Sequence, residues 1–141
     1  SEFLYQVMSR RTAGPYQLQA AVSALHARAP SFDRVDWPQI AGLYSALERL
    51  QPSPVVSLNH LVAMSYVDPP AQILPQLERL AEPLARYQPY YAALADIARR
   101  ARQWVIAGEA YRHALDLSQN EAEREFLTRR LQALELHPDA D

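Results

Sequence analysis

The side chains able to do chemistry in this chain are few and dispersed. His26, His60, His113 and His137 form no i, i+4 pair, and none belongs to an HExxH frame, so no metal site is legible. Cysteine is absent, which removes disulfides, thiol nucleophiles and thiolate zinc sites together. Gly14, Gly42 and Gly108 build no phosphate-cradling loop, and no serine stands in a nucleophile-elbow setting. Glu121, Glu123 and Glu125 crowd one stretch, but a helix starting there puts them at its positive end, where carboxylates serve structure. Neither an enzyme nor a cofactor is expected.

The polar residues that remain suggest binding. Arg99, Arg100 and Arg102, with Arg129 and Arg130, can form a basic edge. One reading is a solvated face whose local ion pairs contribute little. The sharper one is a set of guanidiniums holding an acidic partner through forked hydrogen bonds. Asn59 interrupts an otherwise apolar run, as a buried amide locking a loop or as a ligand contact. Trp37, Tyr44 and Tyr111 recur at helical spacing and read as core.

A chain of 141 residues, 49% hydrophobic and 21% charged, suits one folded domain rather than a disordered segment. The net charge of −2 does not suggest a nucleic-acid grip. No apolar run approaches the roughly 18 residues of a membrane span, and a cytoplasmic protein without membrane contact is expected. All 14 basic residues are arginine, a bias that fits a GC-rich bacterial genome better than a function.

The elements that must position these groups read as helices. The organising stretch is Asp36 to Met64, one helix, a corner and a second helix. Trp37, Ile40, Ala41, Leu43, Tyr44, Leu47 and Leu50 make an apolar stripe, with Asp36 as N-cap, Gln39 at capping-box spacing and Pro38 in the first turn. Gln51 precedes a proline and must leave the α region; Ser53 then caps a new helix opened by Pro54. Val55, Val56, Leu58, Leu61, Val62 and Met64 make that second helix apolar enough to sit mid-domain. Upstream, Pro15 opens a helix that buries Tyr16, Leu18, Ala21, Val22, Leu25 and His26, and Pro30 closes it. Downstream, Asp68 is placed to cap a helix through Ile73, Leu74, Leu77, Leu80 and Leu84, kinked or delayed by Pro75. Further helices run from Pro89 to Ala101 and from Trp104 to Ser118. The last starts at Asn120 and is carried by Ala122, Phe126, Leu127, Leu131 and Leu134. Residues 1–12 read as a lead-in or tag remnant (Ser1-Glu2-Phe3 resembles a cloning scar), 13–136 as one helical domain, and 137–141 as a frayed tail.

Tyr91, Leu94, Ala95 and Ala98, then Ala107, Tyr111 and Ala114, follow the spacing of a tetratricopeptide unit, and Val55, Leu58, Asn59, Val62 and Ala71 echo it. The expected fold is therefore all-α: helical hairpins stacked as a short tetratricopeptide-like right-handed array with capping helices. In such arrays the first helix of each pair lines the concave face, which would present Asn59, His60, Asp96, Arg99 and Arg100. Together with GPYQLQAAVSALHARAP, DWPQIAGLYSALERLQPSPVVSLNHLVAM and NEAEREFLTRRLQAL, this pattern resembles the C-terminal extension of a bacterial extracytoplasmic-function (ECF) RNA polymerase sigma factor. The resemblance implies a regulatory, protein-binding module. It would contact its own sigma regions or core polymerase and meet DNA only through sigma regions that are not in this sequence. It departs from the family where Gln88-Pro89-Tyr90-Tyr91 replaces His-Leu-Leu-Pro and where Ala101-Arg102-Gln103 replaces Leu-Gly-Arg. Apart from the resemblance, a free-standing peptide-binding scaffold and a small-molecule sensor are the other readings.

Overall fold

Proline and capping side chains set most of the helix starts. A computed structural model describes residues 14–136, and among them every regular element is helical: seven α-helices, one 3-10 turn and no strand. The expected lead-in over 1–12 and tail over 137–141 lie outside the described residues. The chain divides between Val67 and Asp68 into two compact units.

The first unit holds α1 (Pro15–Arg28), the 3-10 turn (Phe32–Arg34), α2 (Trp37–Leu50) and α3 (Pro54–Met64). The Asp36 carboxylate accepts the Gln39 backbone N–H at 3.2 Å, and the Gln39 side-chain amide donates to the other carboxylate oxygen. Ser53 Oγ accepts from the Val56 N–H at 3.1 Å, so both expected caps form. Helix α2 packs on α1 and on α3. Its Ile40, Leu43 and Leu47 have no exposed surface, and Leu18, Val22 and Leu25 of α1 complete the cluster.

Three expectations fail at helix ends. Leu50 closes the apolar stripe of α2 but is 54% exposed, because it stands in the last turn. Tyr16 is 90% exposed in the first turn of α1, and His26 is exposed near its end. Periodicity places these side chains on a face; it does not place a neighbour opposite them. On α3, Val56, Leu58, Leu61 and Ala63 are buried, while Val55, Val62 and Met64 are half-buried.

The second unit holds α4 (Pro70–Glu78), α5 (Gln88–Arg100), α6 (Trp104–Leu117) and α7 (Glu121–Glu135). Asp68 does not cap α4; Pro69 holds the N-cap position, with no side-chain cap bond. Pro75 is accommodated inside α4. The helix ends at Glu78, ahead of Pro83, which has no N–H to donate. Turn bonds such as Leu80 N–H to Leu77 O at 2.9 Å carry the chain onward, and Leu84, expected on the helix, is buried from the turns.

Helices α5 and α6 pack as a hairpin with small residues buried on both sides, Ala95 and Ala98 on one and Ala107, Ala110 and Ala114 on the other. The turn between them closes on two backbone bonds, Gln103 N–H to Ala98 O at 2.9 Å and Arg102 N–H to Arg99 O at 3.0 Å. That pairing is a Schellman motif, and it requires a left-handed residue, here Arg102 at φ 62. The resembled family writes glycine at this position. Arg102 instead lays its guanidinium 5.4 Å from the Trp104 ring centroid.

Helix α7 packs on α6. Asn120 Oδ1 accepts from the Glu123 N–H at 3.0 Å, as its position suggests. The Glu123 carboxylate is drawn to the Ser118 hydroxyl, which donates to it at 2.6 Å. Arg124 donates to Leu115 O at 2.7 Å, a carbonyl in the last turn of α6 that also accepts from Ser118 N–H at 3.1 Å. Leu127 and Leu134 are buried, whereas Ala122 and Phe126 point away from the packed side. Among the described residues no helix is long and apolar enough to cross a membrane.

Candidate functional site

The five residues singled out in the sequence divide between the two units. Asn59 and His60 are half-buried on α3; Asp96, Arg99 and Arg100 lie on α5.

In the first unit, Glu48 of α2 crosses to α3 and holds two groups at once. His60 Nδ1 lies 2.5 Å from Glu48 Oε1, and the Ser57 hydroxyl donates to Oε2 at 3.1 Å. A carboxylate only accepts, so Nδ1 carries the proton. The order matters for chemistry. A nucleophilic serine needs the imidazole between it and the carboxylate, whereas here the carboxylate stands between serine and imidazole. The arrangement ties the two helices together and does not activate Ser57. Sequence reasoning missed Glu48, because a pair spanning a helix corner leaves no periodic signal.

The second unit assembles a denser group. Asp96 Oδ1 accepts from Arg99 Nη2 at 2.6 Å and Oδ2 from Arg100 Nε at 3.1 Å, the i, i+3 and i, i+4 reach of one helix face. All three are partly open, with side-chain exposures of 35%, 29% and 21%. Arg99 also hydrogen-bonds the phenol oxygen of Tyr111, a buried residue of α6. Burial opposes the Arg99 charge, but its bonds to Asp96 and Tyr111 outweigh that, and its pKa stands above the ordinary arginine value. The charges of Arg99, Asp96 and Arg130 all act on the Tyr111 hydroxyl, the last of them from α7. Arg130 also lies 5.3 Å from the Phe126 ring centroid. Tyr111 read as core and is core; its hydroxyl as the meeting point of three helices was not legible. Arg102 is spent on Trp104, and Arg129 is exposed on α7.

Other features lie outside these clusters. Trp37 and Tyr66 stack at 4.3 Å, and Phe32 packs across both, 59% exposed. A cleft of about 170 Å³ lies between α6 and α7, bordered by Trp104, Arg112, Leu131 and Glu135. Among the described residues no three His, Asp or Glu side chains are placed to hold a metal ion.

Burial raises the pKa of Tyr44, Tyr90 and Tyr111, the last despite the Arg99 hydrogen bond that pulls the other way. The native protein therefore keeps these protons to higher pH than the unfolded chain, whose phenols titrate near about 10. Stability is full below that pH and falls as pH climbs through the raised native values. Ultraviolet absorbance of tyrosinate, followed with circular dichroism, should show a late step coincident with loss of helix among the eight tyrosines. Smooth titration of all of them with helicity intact would contradict the burial assigned here.

No family model matches this chain, and no solved structure matches it. It is similar to an uncharacterized protein of Rhizobium meliloti (strain 1021), 40% identical over 133 residues, a match that covers 94% of this chain. The chain spans 31% of the length of that relative.

Proposed function

We propose that this chain is the C-terminal regulatory and protein-interaction module of an ECF-type RNA polymerase sigma factor, its hairpins stacked in the tetratricopeptide manner. The observation that carries the reading is the hairpin α5–α6. Its buried alanine seam occupies the positions of the repeat pattern, and its first helix leaves Asp96, Arg99 and Arg100 partly open on one face. The three sequence blocks behind the resemblance also fall on whole helices, α1, the α2–α3 pair and α7. The similar rhizobial protein has roughly two-thirds of its length outside the match, ample for further regions.

Such a module works by binding one arrangement of sigma or polymerase better than another, and only that difference shifts the promoter-competent population. A tenfold change in output needs a difference of about 1.4 kcal/mol, which a few well-placed contacts supply. Deleting residues 13–141 from the full-length protein should change transcription from its cognate promoter by about that factor. Unchanged output would remove the regulatory claim.

A free-standing peptide-binding scaffold shares the same face and differs only in lacking sigma regions upstream. A small-molecule sensor is the remaining reading; it would need a cleft such as the one of about 170 Å³ between α6 and α7 to take a ligand.

A further inference from the structure

We infer that the arginine cluster around Tyr111 docks an acidic peptide segment, rich in aspartate and glutamate, of the protein partner; this rests on the reading of the chain as an interaction module. Arg99 and Arg100 of α5 bring two guanidiniums against the single carboxylate of Asp96, and the charge of Arg130 of α7 acts on the same Tyr111 hydroxyl. The local charge is positive in a chain whose net charge is −2. Asp96 uses both its oxygens on Arg99 and Arg100 and fixes the direction of their forks. It acts as a positioning residue and as a stand-in for the carboxylates that a partner would bring. The donors are held on helices rather than loops, and the Arg99 and Arg100 side chains are still 29% and 21% exposed.

Charge complementarity favours a peptide over nucleic acid. Tight phosphate-backbone binding draws on about 6–10 contacts, and three guanidiniums do not supply them. A short acidic segment carries only a few carboxylates and matches the size of the cluster. Guanidinium also recognises carboxylate through paired, planar bonds, which an arginine cluster suits better than lysine would.

The test uses the full chain and a fluorescein-labelled peptide of alternating glutamate and aspartate, with fluorescence anisotropy as the readout. The peptide should bind, and binding should weaken as salt is raised. The double substitution Arg100→Gln with Arg130→Gln should lower affinity tenfold or more while far-ultraviolet dichroism stays unchanged. Asp96→Asn should act in the opposite sense and tighten binding severalfold, because it removes the competing carboxylate; a merely structural role would not split the two in sign. Absence of peptide binding by the folded wild-type chain would overturn the proposal, as would affinities that ignore both substitutions. Preferential capture of a single-stranded oligonucleotide in competition would overturn it in favour of phosphate recognition. If the deletion of residues 13–141 alters transcription while the peptide fails to bind, the module reading stands and this one falls.

Discussion

Replacing Tyr90 by alanine should lower the unfolding free energy of the second unit by about 3–5 kcal/mol, the usual cost of truncating a buried aromatic side chain. Tyr90 is 1% exposed in the first turn of α5, and its ring meets the Tyr91 ring edge-on at 5.1 Å. Its hydroxyl donates to Leu77 O at 2.9 Å, so one side chain both fills the core and ties α5 to α4. The two contributions separate experimentally. Tyr90→Phe keeps the ring and removes the hydrogen bond, and should cost only about 0.5–1.5 kcal/mol. The Leu77 carbonyl is not orphaned by that change, since it still accepts from Leu80 N–H at 2.9 Å. Against a total stability of about 5–15 kcal/mol, the alanine variant would be marginal and the phenylalanine variant secure. Urea unfolding followed by circular dichroism checks both. An alanine variant within about 1 kcal/mol of wild type would mean that the packing of α4 against α5 is wrong.

The second large effect is expected on α2. Leu47→Ala should destabilise the first unit by about 2–5 kcal/mol, since Leu47 is fully buried and its loss leaves a cavity bordered by α1 and α3. Leu50→Ala should stay within about 0.5 kcal/mol of wild type. Both leucines lie on the same apolar stripe one turn apart, and periodicity alone ranks them equal. The exposure of 54% at Leu50 separates them. Equal losses for the two variants would show that the end of α2 is covered after all.

That pair of leucines illustrates what was legible and what was not. Helix starts could be read because their causes are local: Asp36, Ser53 and Asn120 each accept a backbone N–H three residues on, at 3.2, 3.1 and 3.0 Å. Asp68 looked like another such cap and is not, because Pro69 and Pro70 behind it already shape the start of α4. Pro75, expected to kink or delay the helix through Ile73 to Leu84, lies inside α4, and α4 ends at Glu78, ahead of Pro83.

The candidate face was legible only in its first half. Asp96, Arg99 and Arg100 pair along one helix, so their spacing announces them. Tyr111 and Arg130 enter from α6 and α7, and no interval along the chain encodes that meeting. The same holds for Glu48, whose partners Ser57 and His60 lie beyond a corner.

The order of residues by itself determined the all-helical class, the corner at Gln51 to Ser53, the alanine seam of the α5–α6 hairpin and the ionic face of α5. All of these follow from interactions within a few residues of one another: caps, proline geometry and the repeat of apolar side chains around a helix. Only the tertiary structure decided that Tyr16, Leu50 and Phe126 stay open to water. It also decided that Arg102 takes a left-handed turn without glycine, and that Tyr111 draws charges from two neighbouring helices. Those outcomes depend on which surface lies opposite a side chain, and that is a property of packed helices, which chain spacing does not carry.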